Sequence, residues 1–573
     1  MAVVTTPPTT RVAPHAVLDH IHPEPTSFIR KYIFSIDHKV IGIQYMITGL
    51  LFFVFAGLLA ELIRVQLMNP DGRFVSAETY NQIYTMHGSA MVWMVIIPLV
   101  TGGFGNFVMP LQIGARDVAF PWLNLLAFWM FPVAGMLLFA SFLVGAPDAG
   151  WTEYPPISLQ GLPGTNLWCI AIFLIGVSST LTGINFIVTI IKMRAPGMTL
   201  TRMPLFVWAQ LSTAGLSMIA TTALAGALLA LFLGRVYGVP FYDPTKGGSP
   251  VLWQHMFWFY SHPAVYIMIL PAFGIVSEVL PTFARKPIFG YKMIAFSSVA
   301  IALLGFMVWA HHMFTSGLAP WLQLPFMILT MVVAIPTGIK IFSWMATLWG
   351  GSITLSPAML FSIGFLITFT FGGITGVLLA AVPFDYHAHG TYFVVAHFHY
   401  VLYGGSVFGI FAGLYYWWPK MTGRMMNETM GKWHFWLTFV AFNATFLPMH
   451  WLGLMGMPRR VAVYATDHDA VLWNDVASIS SFVLAASTML LFINMLWSFQ
   501  KGKRAGANPW GARTLEWMIS SPPPYYNFKH VPAVLATPYD FGNPLPYIGL
   551  DSSEGAHSTP QSTPGQTPVV AGQ

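Results

Sequence analysis

The sequence predicts an all-α, polytopic membrane protein with about twelve transmembrane helices. Only 8% of its 573 residues are charged and 55% are apolar, whereas about 25% are charged in soluble domains. The apolar residues gather in twelve runs, each long enough to cross ~30 Å of hydrocarbon as a helix. A soluble globular protein is therefore excluded. The net charge of +6 is also too small and too dispersed to indicate a nucleic-acid partner.

The twelve predicted spans are connected by short segments that differ in charge. Nineteen basic residues fall on one side of the membrane and six on the other. By the positive-inside rule both termini are cytoplasmic, as expected for a protein of the bacterial cytoplasmic membrane. The spans occupy residues 41–63, 83–109, 122–144, 167–191, 205–233, 252–280, 293–313, 321–349, 358–382, 392–417, 433–455 and 477–499.

This topology divides the chain into four parts. Residues 1–39 are predicted to form a cytoplasmic N-terminal arm, and residues 40–500 the twelve-helix core. Residues 501–551 form a cytoplasmic C-terminal segment. The last part, residues 552–573, is rich in Ser, Thr, Pro, Gly and Gln and is predicted to be a disordered tail.

Histidine is frequent in a chain that is otherwise poor in ionisable groups. There are 18 His against 20 Asp and Glu together, and a single cysteine, Cys169. One thiol cannot form an internal disulfide, a four-thiolate zinc site or an iron–sulfur cluster. Any metal in this chain must therefore be held by nitrogen or oxygen.

The sixth and seventh spans carry a candidate metal site. His262 and Tyr266 are four residues apart on the sixth span and therefore share one face of a helix. His311 and His312 lie at the end of the seventh span. Three imidazoles suit copper or zinc better than magnesium or calcium, which prefer oxygen ligands. The simpler alternative is that the adjacent histidines only line the membrane interface.

The tenth span carries His397 and His399. Two residues correspond to about 200° around a helix, so the two rings leave opposite sides and can each bind a separate cofactor. Alternatively, they are ordinary histidines with satisfied hydrogen bonds inside the bundle. If both termini are cytoplasmic, six histidines fall in the outer half of the membrane. They are His87, His262, His311, His312, His397 and His399. A single metal-bearing layer explains this agreement in depth.

Lys340 is an intramembrane lysine, about 19 residues into the eighth span. A charged lysine at mid-helix costs about 2.5 to 3.5 kcal/mol on insertion scales, so it is a candidate functional residue. Thr337, one turn earlier, places a hydroxyl on the same helix face. The alternative is a lysine that extends its ammonium group to the inner membrane interface.

Five motifs occur in the order HPAVY, WAHHMF, AIPTGIKIFSW, VVAHFHYVL and GMPRR. Together they resemble those of subunit I of the cytochrome c oxidases, in the A-type group of the haem-copper oxidase superfamily. The resemblance extends from Ser35 to near Tyr525, which is nearly the whole chain. It implies a bundle of about twelve helices that surrounds two haems, expected to be haem A, and one copper ion.

The resemblance implies a role for each histidine of the layer. His87 and His399 would be the axial ligands of the low-spin haem iron, and His397 would bind the high-spin haem iron. The copper ion, CuB, would be held by three ligands, His262, His311 and His312. The same three histidines and Tyr266 would form the catalytic group, with Tyr266 joined covalently to His262.

Further residues match positions that contact the haems in the family. Arg64 would lie next to the low-spin haem. Arg459 and Arg460 would pair with haem propionates, which fits the preference of guanidinium for carboxylate. Asp385 would interact with a propionate, and Trp151 is a further expected cofactor contact.

The implied reaction is the reduction of O₂ to water by a terminal oxidase that pumps protons. An iron with imidazole on both faces has no open position and carries electrons, whereas a single proximal imidazole leaves a position for oxygen. Two proton pathways from the cytoplasm are also implied. The D pathway would contain Asp117, Asn106, Asn124, Asn185, Ser178 and Ser179. The K pathway would contain Lys340, Thr337, Ser277 and Tyr266, with Glu278 near its entrance.

The sequence departs from the family at Ala264, where many relatives have the glutamate that ends the D pathway. Alanine cannot relay a proton. Tyr260, one helical turn earlier, and Ser261 stand where those relatives usually have Phe-Gly. This resembles the subgroup in which a Tyr-Ser pair replaces the glutamate, so the Tyr260 hydroxyl is expected to reach the same space. In the alternative, Tyr260 only fills volume and pumping is lost.

A second departure is Gly390, where relatives often have an aspartate after the histidine that is His389 here. This puts the family's magnesium site in doubt and leaves the redox chemistry unchanged.

The expected electron donor is cytochrome c. At positions where quinol-oxidising relatives bind quinone, this chain has Phe55, Leu59 and Thr79, and only Gln82 is retained. The family's binuclear entry copper needs two thiolates, and this chain has one cysteine. Electrons must therefore arrive through a partner, subunit II with its copper centre. The resemblance implies subunit III and other oxidase subunits as further partners, with membrane lipid around them.

Two other functions were weighed against the oxidase. A nitric oxide reductase-like enzyme would share the six histidines but gives no reason for Tyr266 beside His262 or for Lys340 below them. A non-redox transporter could use intramembrane histidines but has no reason to place them at one depth.

Overall fold

A bundle of twelve apolar helices makes up most of the described chain. The computed structural model describes residues 24–541 and 547–548, so most of the predicted N-terminal arm and the whole tail at 552–573 lie outside the described residues. We number the helices α1 to α12 in chain order: His38–Gln66, Ala77–Gln112, Pro121–Val144, Gly164–Lys192, Leu205–Tyr237, Pro250–Ala284, Tyr291–Gly305, Pro320–Leu348, Pro357–Ala380, Tyr392–Thr422, Glu428–Leu454 and His468–Lys501.

Eleven of these helices are long and apolar enough to cross a membrane, which confirms the predicted all-α membrane fold. We call the end where α1 begins and α12 ends the inner end, and the opposite end the outer end. Most successive helices pack against each other, α3 packs against α1 and α4, and α1 contacts α12, which closes the ring. The most apolar windows of α2 and α6 are 89% buried, against 22% for α8, so α2 and α6 form the centre of the bundle.

The seventh predicted span differs from the structure. The sequence predicts one helix over 293–313, but α7 ends at Gly305 and a 3₁₀ helix follows at Trp309–Met313. A Cβ on residue 305 would lie 2.9 Å from the Tyr266 ring, so glycine permits this close approach to α6. Because glycine is a weak helix former, the chain leaves the helix here. His311 and His312 therefore stand in a short 3₁₀ segment.

Several helices begin at a side chain that accepts a hydrogen bond from the first turn. Such caps stabilise a helix by about 1 kcal/mol. The capping residues are Asp37, Ser76, Ser356, Thr391, Asn427 and Asp467. Two helices also contain π-helical turns, which are frequent at functional sites. These lie at Ala90–Ile96 and Pro98–Gly103 in α2 and at Leu402–Val407 in α10.

The remaining described elements are short. They include α-helical turns at Ile157–Gln160 and Val382–Ala388, a π-helical turn at Ile29–Ile33, and 3₁₀ turns at Phe142–Val144, Leu200–Arg202, Pro244–Lys246 and Leu515–Met518. Two strands, β1 (Ala533–Val534) and β2 (Tyr547–Ile548), pair antiparallel. The C-terminal segment that carries them packs against the inner end of the bundle, where Glu516 is fully buried.

Candidate metal centre

Three histidines converge between α6 and the 3₁₀ segment. His262 Nδ1 lies 3.2 Å from His312 Nε2, and His311 Nε2 lies 3.0 Å from the same atom. One ring nitrogen has either one proton or one lone pair, so His312 Nε2 cannot form full hydrogen bonds to both neighbours. Metal–nitrogen bonds of about 2.0 Å at tetrahedral angles would separate ligand atoms by about 3.3 Å. The three imidazoles therefore fit a shared metal ion.

Neighbouring groups fix the orientation of two of these rings. The His312 ring stacks on Trp258, with centroids 3.7 Å apart and an interplanar angle of 11°. His311 Nδ1 lies 3.0 Å from the Thr330 hydroxyl on α8, and that hydroxyl donates its own proton to the Phe326 carbonyl. Thr330 must therefore accept from His311 Nδ1–H. This leaves His311 Nε2 with a lone pair for the metal.

Tyr266 lies beside His262, as the four-residue spacing predicts. The two ring centroids are 4.7 Å apart. Since His262 directs Nδ1 towards the other two imidazoles, its Nε2 faces away from them. In the described part of the chain this Nε2 is buried and has no hydrogen-bond partner.

His397 faces the three-histidine cluster from α10. Its Nδ1 lies 3.0 Å from the Gly372 carbonyl and 3.1 Å from the Thr375 hydroxyl, both on α9. A carbonyl only accepts hydrogen bonds, so Nδ1 carries the proton and Nε2 is left with a lone pair. His397 is also close enough to His311 for an electrostatic interaction. The arrangement fits a single proximal imidazole for an iron beside the cluster.

His87 and His399 form a second pair of the same kind. His87 Nδ1 lies 2.8 Å from the Ala56 carbonyl, and His399 Nδ1 lies 2.8 Å from the Val395 carbonyl. The same reasoning leaves a lone pair on each Nε2. The two rings are close enough to interact electrostatically. His399 stacks on Phe446 with centroids 4.1 Å apart, which fixes its plane.

Trp151 connects the surroundings of the two histidine groups. Its ring contacts Trp93 on α2 and Trp258 on α6, with centroids 5.7 and 5.8 Å apart. A Cβ on Gly88, the residue after His87, would lie 3.0 Å from the Trp151 Cβ. Trp151 therefore packs close to the helix turn of His87 and against the ring that stacks on the cluster.

The three predicted arginines lie near the outer end. Arg64 donates to Ser478 and to Asn474 on α12, and its Nη1 is buried without a partner among the described residues. Arg460 donates to the Thr152 hydroxyl at 3.2 Å. Burial and the neighbouring charge of Arg460 lower the pKa of Arg459 to about 10. Two adjacent guanidinium groups in this environment favour an anionic ligand such as a carboxylate.

The sequence departure at Gly390 has a backbone explanation. Gly390 has φ +73°, a conformation that glycine adopts without strain. Its carbonyl accepts the backbone N–H of Arg459 at 2.8 Å. His389 Nδ1 lies at hydrogen-bond distance, 3.0 Å, from the Asp385 carboxylate, so these two predicted residues contact each other. Glycine at this position therefore serves the turn that positions Arg459.

The residues predicted for the D pathway lie around the inner part of α2, α3 and α4. Burial, with a further contribution from Asp37, raises the pKa of Asp117 to about 7. Asn185 binds the backbone of residue 120 through both side-chain atoms. Asn106 donates to the Gly102 carbonyl. Both polar side-chain atoms of Asn124 are buried without a partner in the described chain, as expected of a residue that faces water.

A cavity of about 30 Å³ continues this line of polar residues, which is large enough for water. Ser178 and Ser179 line it, as the pathway requires. The Gln210 carbonyl oxygen and the Thr213 hydroxyl are buried without partners among the described residues. The sequence did not indicate six further polar residues of this lining: Tyr45, Thr101, Thr182, Gln210, Thr213 and Ser217.

Tyr260, Ser261 and Ala264 are all buried on α6. The Tyr260 side chain interacts with that of Trp93 on α2, one turn from Ile97, which lines the cavity. The Ser261 hydroxyl is buried without a partner in the described part of the chain. Tyr260, two residues before His262, therefore contacts the part of α2 that continues to the cavity lining.

The Lys340 side chain forms its hydrogen bonds with α7, whereas the sequence placed a candidate hydroxyl, that of Thr337, on its own helix α8. Its Nζ donates to the Ser298 hydroxyl at 2.7 Å and to the Ile294 carbonyl at 2.8 Å, both on α7. The Thr337 hydroxyl instead donates to the Val333 carbonyl of its own helix. Ser298 is thus the hydroxyl partner of this lysine, and the expected Thr337 is not hydrogen-bonded to it.

Ser277 and Glu278 lie near the inner end of α6. The Ser277 hydroxyl accepts the indole N–H of Trp344 at 3.0 Å. Glu278 accepts from the Tyr539 hydroxyl at 2.6 Å and from the backbone N–H of Phe206 at 3.1 Å. Tyr539 belongs to the C-terminal segment, so that segment covers the predicted entrance of the K pathway. The sequence carried no signal for this contact.

A membrane helix bundle with imidazoles converging in this way is typical of a metalloprotein of the membrane. The chain matches the family model described as "Cytochrome C and Quinol oxidase polypeptide I" over residues 40–483. It belongs to this family.

Relatives of similar length support the same assignment. The chain is 55% identical to cytochrome c oxidase subunit 1 of Synechocystis sp., covering 89% of this chain and 92% of the relative. It is 49% identical to cytochrome c oxidase subunit 1 of Bacillus subtilis, covering 89% and 82%. A solved structure of a heme-copper terminal oxidase dimer matches with a TM-score of 0.67 at 19% identity, covering 82% of this chain and 85% of that chain. This last likeness concerns the fold alone.

The chain is therefore the catalytic subunit of a terminal oxidase, an integral multi-pass membrane oxidoreductase. Its family uses haem and copper as cofactors, and its members associate with other oxidase subunits. The predicted family, fold class and enzyme class are confirmed.

Proposed function

We propose that this subunit reduces O₂ to water with electrons from cytochrome c and pumps protons across the bacterial cytoplasmic membrane. The convergence of His262, His311 and His312 within 4.8 Å is the observation that carries the proposal. The relatives named cytochrome c oxidase subunit 1 support this donor. The single cysteine supports electron entry through a copper centre on subunit II, and subunit III is the next expected partner. Both termini are proposed to be cytoplasmic.

The metal centres are proposed to be two haems, both of type A, and one copper ion. CuB would be held by His262 Nδ1, His311 Nε2 and His312 Nε2, and the high-spin iron by His397. The low-spin iron would be held by His87 and His399. When bound, copper and the open haem would supply electrons to oxygen. The hydrogen bonds at Nδ1 of the three haem histidines support these roles, because they orient each ring with Nε2 free.

Tyr266 is proposed to be covalently joined to His262 and to supply a proton and an electron at its phenol oxygen. The unpartnered His262 Nε2 and the 4.7 Å ring separation support this link. A tyrosine held in this way stays beside the oxygen-binding space throughout turnover.

The charged residues at the outer end are proposed to hold the haem propionates. Arg459 and Arg460 would bind them through guanidinium N–H groups, and Arg64 would use its unpartnered Nη1 near the low-spin haem. Trp151 would pack against the haem edges. Asp385 is proposed to act together with His389, and magnesium at this position stays in doubt.

Protons are proposed to enter along two routes at the inner end. The D pathway would run from Asp117 past the asparagines to the serine-lined cavity and then to Tyr260 and Ser261. The K pathway would run from Glu278 and Ser277 to Lys340, and Ser298 is added to Thr337 in this route. A Tyr260→Phe enzyme should reduce oxygen but lose pumping. Full pumping by that variant would refute the relay.

Optical spectra of the purified protein test the proposed function most directly. We expect reduced-minus-oxidised bands from two haems, carbon monoxide binding to one of them, and one copper per chain. Haem extraction identifies the haem type. A His312→Ala variant should lose copper but keep the low-spin haem band, because His87 and His399 are untouched. A colourless, metal-free parent protein would refute the oxidase assignment.

A further inference from the structure

Glu153 is a buried carboxyl near the outer end of the bundle. It lies in the connection between α3 and α4, between Trp151 and Tyr154, and is 0% exposed. Both of its carboxyl oxygens are buried and have no hydrogen-bond partner among the described residues. The residue has φ +42°, which is unusual for a side chain other than glycine. This backbone conformation is not that of an α-helix, so helix formation does not explain why the Glu153 side chain is buried here.

Ionisable groups from five parts of the structure face Glu153. They are Asp148 on the same loop, Tyr84 on α2, Cys169 on α4, Arg235 on α5 and Arg460 after α11. None of them forms an ion pair with Glu153 in the described chain. The Arg235 guanidinium donates to the carbonyls of Gly161 and Leu162 and to Asn166, so its N–H groups are directed elsewhere.

An ionised carboxylate without hydrogen bonds is costly to bury, and the neutral acid is favoured instead. Burial first, and then the charge of Asp148, raise the pKa of Glu153 to about 8, while Arg235 and Arg460 act in the opposite direction. At pH 7 a group with a pKa of about 8 is roughly tenfold more protonated than ionised, so lowering the pKa by about one unit brings it to its midpoint. A change of one pKa unit alters its protonation ratio tenfold.

The loop connects Glu153 to the proposed cofactor contacts. Thr152, the preceding residue, accepts from Arg460 through its hydroxyl and from the Trp253 indole on α6 through its carbonyl. Arg460 is a proposed propionate partner, and Trp151 packs against α2 and α6. Arg460, which acts electrostatically on Glu153, and the buried loop at Trp151 thus connect the carboxyl with the residues proposed to contact the haems, in surroundings where charges interact more strongly than in water.

We propose that Glu153 is a proton-accepting group of the oxidase on the outer side of the metal centre. Its carboxylate binds one proton when an electron enters the centre, and the carboxylic acid releases that proton towards the outer face when the electron leaves. No other bond forms or breaks. This proposal rests on the proposed function, since it requires the metal centre to change charge.

The test is reduced-minus-oxidised infrared spectroscopy of the assembled oxidase. The parent should show a carboxyl C=O band that shifts in heavy water and is lost in Glu153→Gln. In Asp148→Asn the band should remain, but its pH midpoint should move down, because removal of a negative neighbour favours the charged form. In vesicles, Glu153→Gln should release fewer protons to the outer side for each electron transferred to oxygen than the parent does.

Two results would overturn the proposal. One is a Glu153→Gln spectrum that keeps every carboxyl band of the parent, and the other is unchanged proton release by that variant. Haem spectra of each variant confirm folding, and Glu153→Asp, which retains a carboxyl, should restore a shifted band. A parent without a carbon monoxide-binding haem would instead refute the proposed function, so the two failures are distinguishable.

Discussion

The packing of His397 against α9 gives a steric prediction for Gly376→Ala. A Cβ at this position would lie 2.9 Å from His397 Cε1, closer than any ordinary van der Waals contact. The ring cannot retreat freely because Gly372 and Thr375 hold its Nδ1, and each such bond contributes about 0.5–1.5 kcal/mol. Overpacking of this kind costs about 1–3 kcal/mol, equivalent to about a fivefold to 150-fold loss of correctly oriented ligand.

Gly373→Ala is the matched control, one turn earlier on the same helix. A Cβ there meets nothing within 4 Å. Both substitutions reduce the flexibility of a helical glycine and gain about 0.5–1 kcal/mol, so only the clash distinguishes them. The assay is the content of carbon monoxide-binding haem per protein, together with oxygen consumption. Gly376→Ala should lose both and Gly373→Ala neither. Equal haem content and binding kinetics in the two variants would refute this account of His397.

Three further predictions concern groups around the metal centre. Thr330→Val removes the acceptor of His311 Nδ1–H. It should lower copper affinity by about 10–100-fold, as the loss of such hydrogen-bond partners generally does. An unchanged copper-to-protein ratio would contradict this. Ser298→Ala removes one hydrogen bond of Lys340, which contributes about 1 kcal/mol, and should slow oxygen consumption roughly fivefold. Ser297→Ala, on the adjacent residue, should not slow it. Equal rates in the two variants would exclude Ser298 from the pathway. Because the raised pKa keeps Asp117 protonated up to about pH 7, oxygen consumption should fall as the pH rises through 7, and a persistent break in Asp117→Asn would assign it to another group.

The helices could be predicted because a membrane span must satisfy its backbone hydrogen bonds internally. Eleven predicted runs coincide with long helices for this reason. The exception, α7, shows what hydropathy omits. The residues from Phe306 to Met313 are apolar enough to have been assigned to a membrane helix. Hydropathy, however, reports the preference of side chains for an apolar solvent and does not report whether the backbone stays helical. The close approach of Gly305 to Tyr266 is a tertiary contact that no local pattern contains.

The metal ligands could be proposed from spacing and motif, whereas the groups that orient them could not. The acceptors at Nδ1 of His87, His397 and His399 include backbone carbonyls, which every residue carries and which therefore give no sequence signal. For Lys340, the spacing of one helical turn pointed to the Thr337 hydroxyl on the same helix. The long side chain instead crosses to Ser298 on α7, and only the packing of the helices decides between the two.

Several buried acids lie near the two ends of the bundle, whereas position 264 carries no carboxyl. The acids Asp117 and Glu278 lie near the inner end, and Glu153 lies near the outer end. Between these levels the cavity is lined by hydroxyl and amide groups. A hydroxyl costs far less to bury than an ionised carboxylate, and it can donate and accept a hydrogen bond at once. In the proposed D pathway a proton would cross this region along neutral groups, and Tyr260 would be the last of them before the metal site.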